Sequence, residues 1–450
     1  MAFNDNFTWG VASASYQIEG AVAEDGKGPS VWDMFCRKPG AIWRGQNGDV
    51  ACEHVHRYRE DVALMKRIGV RASRFSVSWP RVLPEGVGPV NDKGLDFYDR
   101  LVDEYLAAGI EPWLTLFHWD YPLALYHRGG WLNRECADWF AEYARVLAER
   151  LGDRVTHWMT LNEPQCFIGL GMQEGIHAPG DKLRFDEVVL AMHNTLLAHG
   201  RGVQAIRAHA KRKPTVGIAM VVVTRMPHTE TPADIEAARS VMFGTPSRDG
   251  FYNAWWFDPI FKGEYPAEGL AFYGEAAPKI RPGDMATISQ PLDFFGANIY
   301  HGQTIAATPE GPRIVPLPPG YPKTTQDHWP ITPACLYWGP RFLHERYGLP
   351  IVITENGCQV ADVISLDGRV HDPQRIDYLH RHLLELRRAA ADGVEVNGYF
   401  QWCFADNFEW ALGDAIRVGL VYTDYPTQRR IPKDSAAWYG EVIRTNGVNL

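Results

Sequence analysis

The feature that most restricts what this chain can fold into is an eightfold recurrence of short apolar runs. They cover residues 7–14, 72–78, 111–116, 157–161, 215–222, 292–298, 350–354 and 398–403. Most are near-continuous rather than alternating, the pattern of strands covered on both faces. Between them lie amphipathic stretches with apolar residues three or four apart. Tyr58, Val62, Met65 and Ile68 form one such face, and Leu95, Tyr98, Leu101 or Val102, and Tyr105 a second. Trp139, Tyr143, Val146 or Leu147, and Leu151 form a third, and Ile376, Leu379, Leu383 and Leu386 a fourth. Gly69 and Gly109 stand where two of these helices should stop.

Strands alternating with helices make either an open doubly wound sheet or a closed barrel. No G-x-G-x-x-G follows the first run and no P-loop is present, which weakens the nucleotide-binding alternative. Polar and aromatic residues instead crowd the ends of the runs: TLFHWD, TLNEP, NIYHG, ITENG and YFQWCF. That is where a barrel builds its site. The reading is therefore α/β: a single (β/α)8 TIM barrel, residues 1–450, with elaborated loops at the C-terminal face of the strands. Length alone would suggest two or three domains, but such barrels routinely exceed that rule. Residues 304–332, rich in Pro and Gly, read as one long irregular loop overhanging the mouth.

A net charge of −9 does not prepare the chain for nucleic acid or an anionic membrane. No run of eighteen apolar residues exists, so no transmembrane helix is expected. The N-terminal MAFNDNFTWG lacks a basic and an apolar signal region. Seven Cys, an odd number with no CxxC, fit reduced thiols better than disulfides or a zinc site. A cytoplasmic location is the expectation, with no metal. Sixteen Trp fit a large core or a carbohydrate site, and composition alone favours the core.

Two glutamates carry the functional argument. Glu163 lies in Thr160-Leu161-Asn162-Glu163-Pro164 and Glu355 in Ile353-Thr354-Glu355-Asn356-Gly357, at the ends of the fourth and seventh runs. On a barrel they would face each other across the mouth. Glycoside hydrolysis needs two carboxyl groups flanking the scissile bond, one as acid and one as nucleophile or base. Their separation decides between retention and inversion, and sequence spacing leaves that open.

Further segments carry a resemblance. Thr8-Trp9-Gly10-Val11-Ala12-Ser13-Ala14-Ser15-Tyr16-Gln17-Ile18-Glu19-Gly20-Ala21, Arg74-Phe75-Ser76-Val77-Ser78-Trp79-Pro80-Arg81, Phe117-His118-Trp119-Asp120 and Asp406-Asn407-Phe408-Glu409-Trp410 join the NEP and TENG segments in order. Together they resemble the family 1 glycoside hydrolases, the β-glucosidase family, from about Phe7 to Tyr439. The resemblance implies a retaining β-glucosidase with Glu163 as acid/base and Glu355 as nucleophile. Arg74 and Tyr300 would support the nucleophile, and Asn162 would bond the sugar 2-hydroxyl. Gln17, His118, Glu409 and Trp410 would bind the other hydroxyls, with Trp402 as stacking floor and Asn298 beside the substrate. Trp329 matches an aglycone-side tryptophan.

The implied substrates are terminal β-D-glucosyl residues of cello-oligosaccharides or aryl and alkyl glucosides, extending to β-fucosides and β-galactosides, with transglycosylation as a side reaction. No cofactor is implied, the partner is a small β-glycoside or short oligosaccharide, and a homo-oligomer is left open. Glu409 would repel a phosphate, so non-phosphorylated sugars are expected. Tyr121, Leu123, Cys403-Phe404-Ala405, Asp414 and Val418 depart from the family's usual residues. Val418 would widen the 6-hydroxyl end of the pocket. Two other readings compete. A phosphate-dependent barrel enzyme would want a Lys or a phosphate nest where Glu355 and Trp402 stand. A sugar-binding protein without activity would have lost one of the glutamates.

Overall fold

A computed structural model describes residues 3–325 and 329–450. Eight parallel strands close into a barrel in chain order. They are β1 (Thr8–Ala12), β2 (Ala72–Ser76), β3 (Glu111–Phe117), β4 (His157–Asn162), β5 (Thr215–Val221), β6 (Phe294–Asn298), β7 (Ile351–Asn356) and β8 (Val396–Trp402). The ring closes where β1 pairs with β8, from Thr8 opposite Gly398 to Ala12 opposite Trp402. All eight expected runs are strands, with bounds shifted by at most two residues. The expected α/β barrel is the observed fold.

Each strand alternates between two cores, because strand side chains have a period of two. In β2, Phe75 joins the outer layer against the helices, where it packs on Tyr105 with ring centroids 5.5 Å apart. Ala72, three residues earlier and so on the opposite face, joins a smaller cluster inside the ring with Trp113, Met159, Phe294, Val352 and Phe400. Trp113 meets Phe400 at 5.0 Å and Phe294 at 5.6 Å, so the barrel is plugged by aromatic rings. Gly10 is required by this filling: a Cβ there would lie 2.4 Å from the Phe400 ring. Among the described residues, no helix is long and apolar enough to cross a membrane.

The outer helices carry the expected faces on His54–Ile68, Asp92–Ala107, Cys136–Leu151 and Pro373–Ala391. In the last of these the buried face is turned toward Arg375 and Tyr378, leaving Ile376 half-buried. Arg375 is drawn in by charge. It pairs with Asp362 at 2.8 Å and with Asp372, Lys433 pairs with Asp362 at 2.6 Å and Asp406 at 2.7 Å, and Arg417 reaches Asp406 at 3.2 Å. Three cations thus balance three buried carboxylates. A buried charge is tolerated only when paired in this way. The network ties the segments after β7 and β8 to each other and to the C-terminal region.

The expected irregular loop over 304–332 needs correction. Gly302–Thr308 and Gly311–Ile314 form an antiparallel hairpin that extends a small sheet begun by Thr224–Pro227. Burial along Gly302–Thr308 does not alternate, with only Gly302 and Ile305 buried, so no period of two marks the strand ahead of the Pro- and Gly-rich stretch.

Candidate active site

The end of β4 is where the chain spends strain. Glu163, the residue after the strand, has φ 48° and ψ 63°, and Pro164 then opens the helix Pro164–Ile168. A left-handed conformation costs a non-glycine residue on the order of 1 kcal/mol. The Glu163 N–H donates to the Ala219 carbonyl of β5 at 2.8 Å. The pairing of β4 with β5 shifts register between Met159 and Asn162, and that of β7 with β6 between Ile353 and Glu355. Such irregularities re-aim side chains at strand ends.

The two glutamates share one cavity of about 740 Å³ at this end of the barrel. Both are buried, at 7% and 3% exposure. Their environments differ. Both Glu355 oxygens are held by strong donors: Arg74 Nη1 at 2.6 Å on one and the Tyr300 hydroxyl at 2.7 Å on the other. Glu163 accepts from the neutral Asn298 amide at 2.8 Å. Burial, then the nearby Glu355, push the Glu163 carboxyl well above the usual carboxylate range. Burial also raises Glu355, against the opposing pull of Arg74 and Tyr300. A guanidinium and a phenol favour an anion more than a neutral amide does, so the pair loses its first proton from Glu355.

Arg74 also orders the sugar side of the cavity. Its Nη2 donates to Asn162 Oδ1 at 2.6 Å, and Asn298 Nδ2 donates to the same oxygen at 3.0 Å. Asn162 Nδ2 must therefore be the donor in its 3.0 Å contact with His118 Nε2. That makes His118 an acceptor at Nε2 and places its proton on Nδ1. Burial and Arg74 hold its pKa well below the usual value, which keeps the ring neutral. The Nδ1 donor is buried and finds no partner among the described residues. Gln17 is similar: Nε2 donates to Asn407 Oδ1, Phe408 O and Glu409 Oε2 at 3.0–3.1 Å, while its buried Oε1 finds no partner among those residues. Buried polar groups left this way suit a ligand with hydroxyls.

Flat surface is supplied by His118, Trp402 and Trp410. The His118 ring lies near-parallel to both indoles, with centroids 5.7 and 5.9 Å away. Gly357 lets the end of β7 pass this group: a Cβ there would sit 1.9 Å from the Trp402 carbonyl. Trp329 packs at 5.3 Å from both Tyr300 and His301 and lines the same cavity, as does Val418. Every expected site residue except Gln17, Arg74 and Asn162 lines the cavity itself, and those three are bonded to residues that do. Among the described residues, no group of three or more His, Cys, Asp or Glu is arranged to hold a metal ion.

A sequence model described as Glycosyl hydrolase family 1 matches residues 1–448. The chain belongs to this family. As a family 1 glycoside hydrolase it is 46% identical to β-glucosidase A of Thermotoga maritima, over 99% of this chain and 98% of that protein. It is 44% identical to a β-glucosidase of an Agrobacterium species, over 97% of this chain and 94% of the other. A solved structure of the Thermotoga maritima β-glucosidase with glucoimidazole superposes with a TM-score of 0.90 at 44% identity, covering 99% of this chain and all of that one.

Four residues of this family 1 enzyme's site escaped the sequence reading of function. Asn407 holds Gln17, Trp119 Nε1 donates to the Asn162 carbonyl at 3.0 Å, and Thr354 Oγ1 donates to Asn298 Oδ1 at 2.6 Å. Each stands within two positions of an expected site residue: Glu409, His118 and Glu355. The fourth, Cys166, lines the cavity but counts in the sequence only among the thiols; its place three residues after Glu163 is the available signal.

Proposed function

We propose that this glycoside hydrolase is a retaining β-glucosidase, and that all 450 residues serve one catalytic unit. The observation that carries the reading is the contrast between the two buried glutamates. Glu355, held by Arg74 and Tyr300, suits a nucleophile that must be ionised at rest. Glu163, raised by burial and by Glu355, suits an acid that keeps its proton until the leaving oxygen takes it. In the first step Glu355 attacks the anomeric carbon and Glu163 protonates the departing aglycone. In the second, Glu163 takes a proton from water, which displaces Glu355 and keeps the β configuration. A sugar hydroxyl in place of that water gives transglycosylation.

Gln17, His118, Asn162, Glu409 and Trp410 bind the sugar hydroxyls over the Trp402 face, with Asn298 beside them. Outside the sugar site, Val222, Val223, Phe251, Ile176 and Trp329 give the cavity an apolar wall, which favours aryl or alkyl aglycones alongside short cello-oligosaccharides. Glu409 is bonded to Gln17 at the sugar end and repels a 6-phosphate.

The test is kcat/KM for aryl β-glucoside, galactoside, fucoside, mannoside and 6-phospho-glucoside in one buffer. Glucoside or fucoside leads and the phospho-sugar is inert. A phospho-sugar or mannoside in the lead would remove the assignment of the sugar-binding residues.

The pH profile of kcat/KM is bell-shaped. Activity rises with pH as Glu355 ionises and falls as Glu163 loses its proton. Because burial raises both groups, the bell is displaced upward from the range of free carboxylates, and its alkaline limb lies well above them. A flat profile into alkaline pH, with the chemical step limiting, contradicts the assignment.

A further inference from the structure

Asp414, one of the departures from the family's usual residues, makes a contact to which the reaction above gives no part. Its partner Gln46 lies in the loop between β1 and the helix His54–Ile68, just after the turn Trp43–Gly45. Gln46 Oε1 accepts from the Asp414 N–H at 2.8 Å, and Gln46 Nε2 donates to Asp414 Oδ1. A primary amide carries an acceptor and a donor in one plane, so it can grip a backbone N–H and a carboxylate together. Both residues are half-buried. The gripped segment is the turn that carries Glu409 and Trp410. The Glu409 N–H donates to the Gly413 carbonyl at 2.6 Å, Leu412 N–H to the Glu409 carbonyl at 2.9 Å, and Gly413 N–H to the Trp410 carbonyl at 3.1 Å. Two residues of the turn have positive φ, Trp410 at 51° and Gly413 at 60°. Such backbone persists only where its surroundings hold it. Gln46 is part of those surroundings: a Cβ on Gly413 would lie 2.1 Å from its Oε1. The same loop also reaches the indole of the turn. A Cβ on Gly48 would lie 2.7 Å from the Tyr16 ring, and that ring runs parallel to Trp410 with centroids 6.2 Å apart.

We propose that Gln46 is a positioning residue for the sugar end of the cavity: by holding Asp414 at two points it fixes the turn 409–414, and with it the Glu409 carboxylate and the Trp410 indole. Gln46 acts through those two side chains, which line the cavity. Glu409 accepts in turn from Gln17 Nε2 at 3.1 Å, so the grip extends to a third sugar-binding residue. The proposal rests on Glu409 and Trp410 binding the sugar.

The experiment measures the competitive inhibition constant of glucose, with KM for an aryl β-glucoside, in the full-length enzyme and in Gln46→Ala, Gln46→Glu and the double variant Gln46→Glu/Asp414→Asn. Glucose reports sugar binding without an aglycone and without chemistry. Its inhibition constant rises about tenfold in Gln46→Ala, the worth of roughly two hydrogen bonds. It rises further in Gln46→Glu, which sets a second carboxylate against Asp414. The double variant returns to near wild type, because the introduced carboxylate accepts from both the backbone N–H and the introduced amide. KM follows the same order, and thermal unfolding checks that each variant is folded. Wild-type glucose affinity in Gln46→Ala and Gln46→Glu overturns the proposal, even where stability falls, as does a double variant as weak as Gln46→Glu. Glu409→Ala is assayed alongside. Unchanged glucose affinity there removes the reading of the sugar site itself. Weakened affinity there, with unmoved Gln46 variants, removes only the role of Gln46.

Discussion

Glu355→Ala is expected to lower kcat/KM for an aryl β-glucoside by roughly 10⁴-fold or more, since the other two glutamates of the cavity, Glu163 and Glu409, are assigned to proton transfer and to the sugar hydroxyls. Arg74 Nη1 and the Tyr300 hydroxyl are both committed to the Glu355 oxygens; a guanidinium is no nucleophile, and burial keeps the phenol protonated and a poor one. The diagnostic is chemical rescue. Azide fills the space left by the carboxylate and attacks a dinitrophenyl β-glucoside from the face Glu355 used, giving the α-glucosyl azide. Nuclear magnetic resonance of the product reads the configuration. A β-azide, or an Ala variant with activity near wild type, would move the nucleophile elsewhere. Loss of Glu355 also leaves Arg74 as a buried cation without its carboxylate, so the variant's fold is checked by circular dichroism.

Glu163→Ala has the second largest effect, and it depends on the leaving group. For an alkyl β-glucoside, whose alkoxide needs a proton, the rate falls by about 10²–10⁴-fold, the range of general acid catalysis. For a dinitrophenyl glucoside the first step needs little help, so the loss falls on the second step, where water lacks its base. The glycosyl-enzyme then accumulates and KM drops along with kcat. Azide needs no base, restores turnover and gives the β-glucosyl azide. Equal losses for both leaving groups would count against Glu163 as the acid. The opposite configurations of the two rescued azides separate the two glutamates without reference to any relative.

The barrel was legible because its strands are covered on both faces and so stand out as apolar runs ended by polar residues. The long helix Phe185–His209 was not picked out, and the reason is physical. Residues 191–200 are all buried, including His193, Asn194, Thr195 and His199, so no single apolar face recurs every three or four positions. Glu163 and Glu355 were legible because two carboxylates at strand ends are hard to explain otherwise. Their division of labour came from the family resemblance, and the difference in their hydrogen-bond partners lies beyond what spacing can give. Asn407 and Thr354 act through other side chains, and a residue that only orients a neighbour leaves no periodic or compositional trace. The Gly302–Thr308 strand was hidden by the Pro-rich stretch that follows it.

The pairing of β1 with β8 has a consequence for how the enzyme comes into being. Residues 8–12 wait beside residues 398–402, so nearly the whole chain must be gathered before the ring is shut. Glu163 arrives with the first half and Glu355, Trp402 and Glu409 with the last part. No shorter intermediate on the way to the native state owns a sugar pocket. A tight glucose-mimicking inhibitor therefore recognises only finished molecules. Added during refolding, it acts as a selective sink, drawing closed barrels out of equilibrium with open ones by mass action.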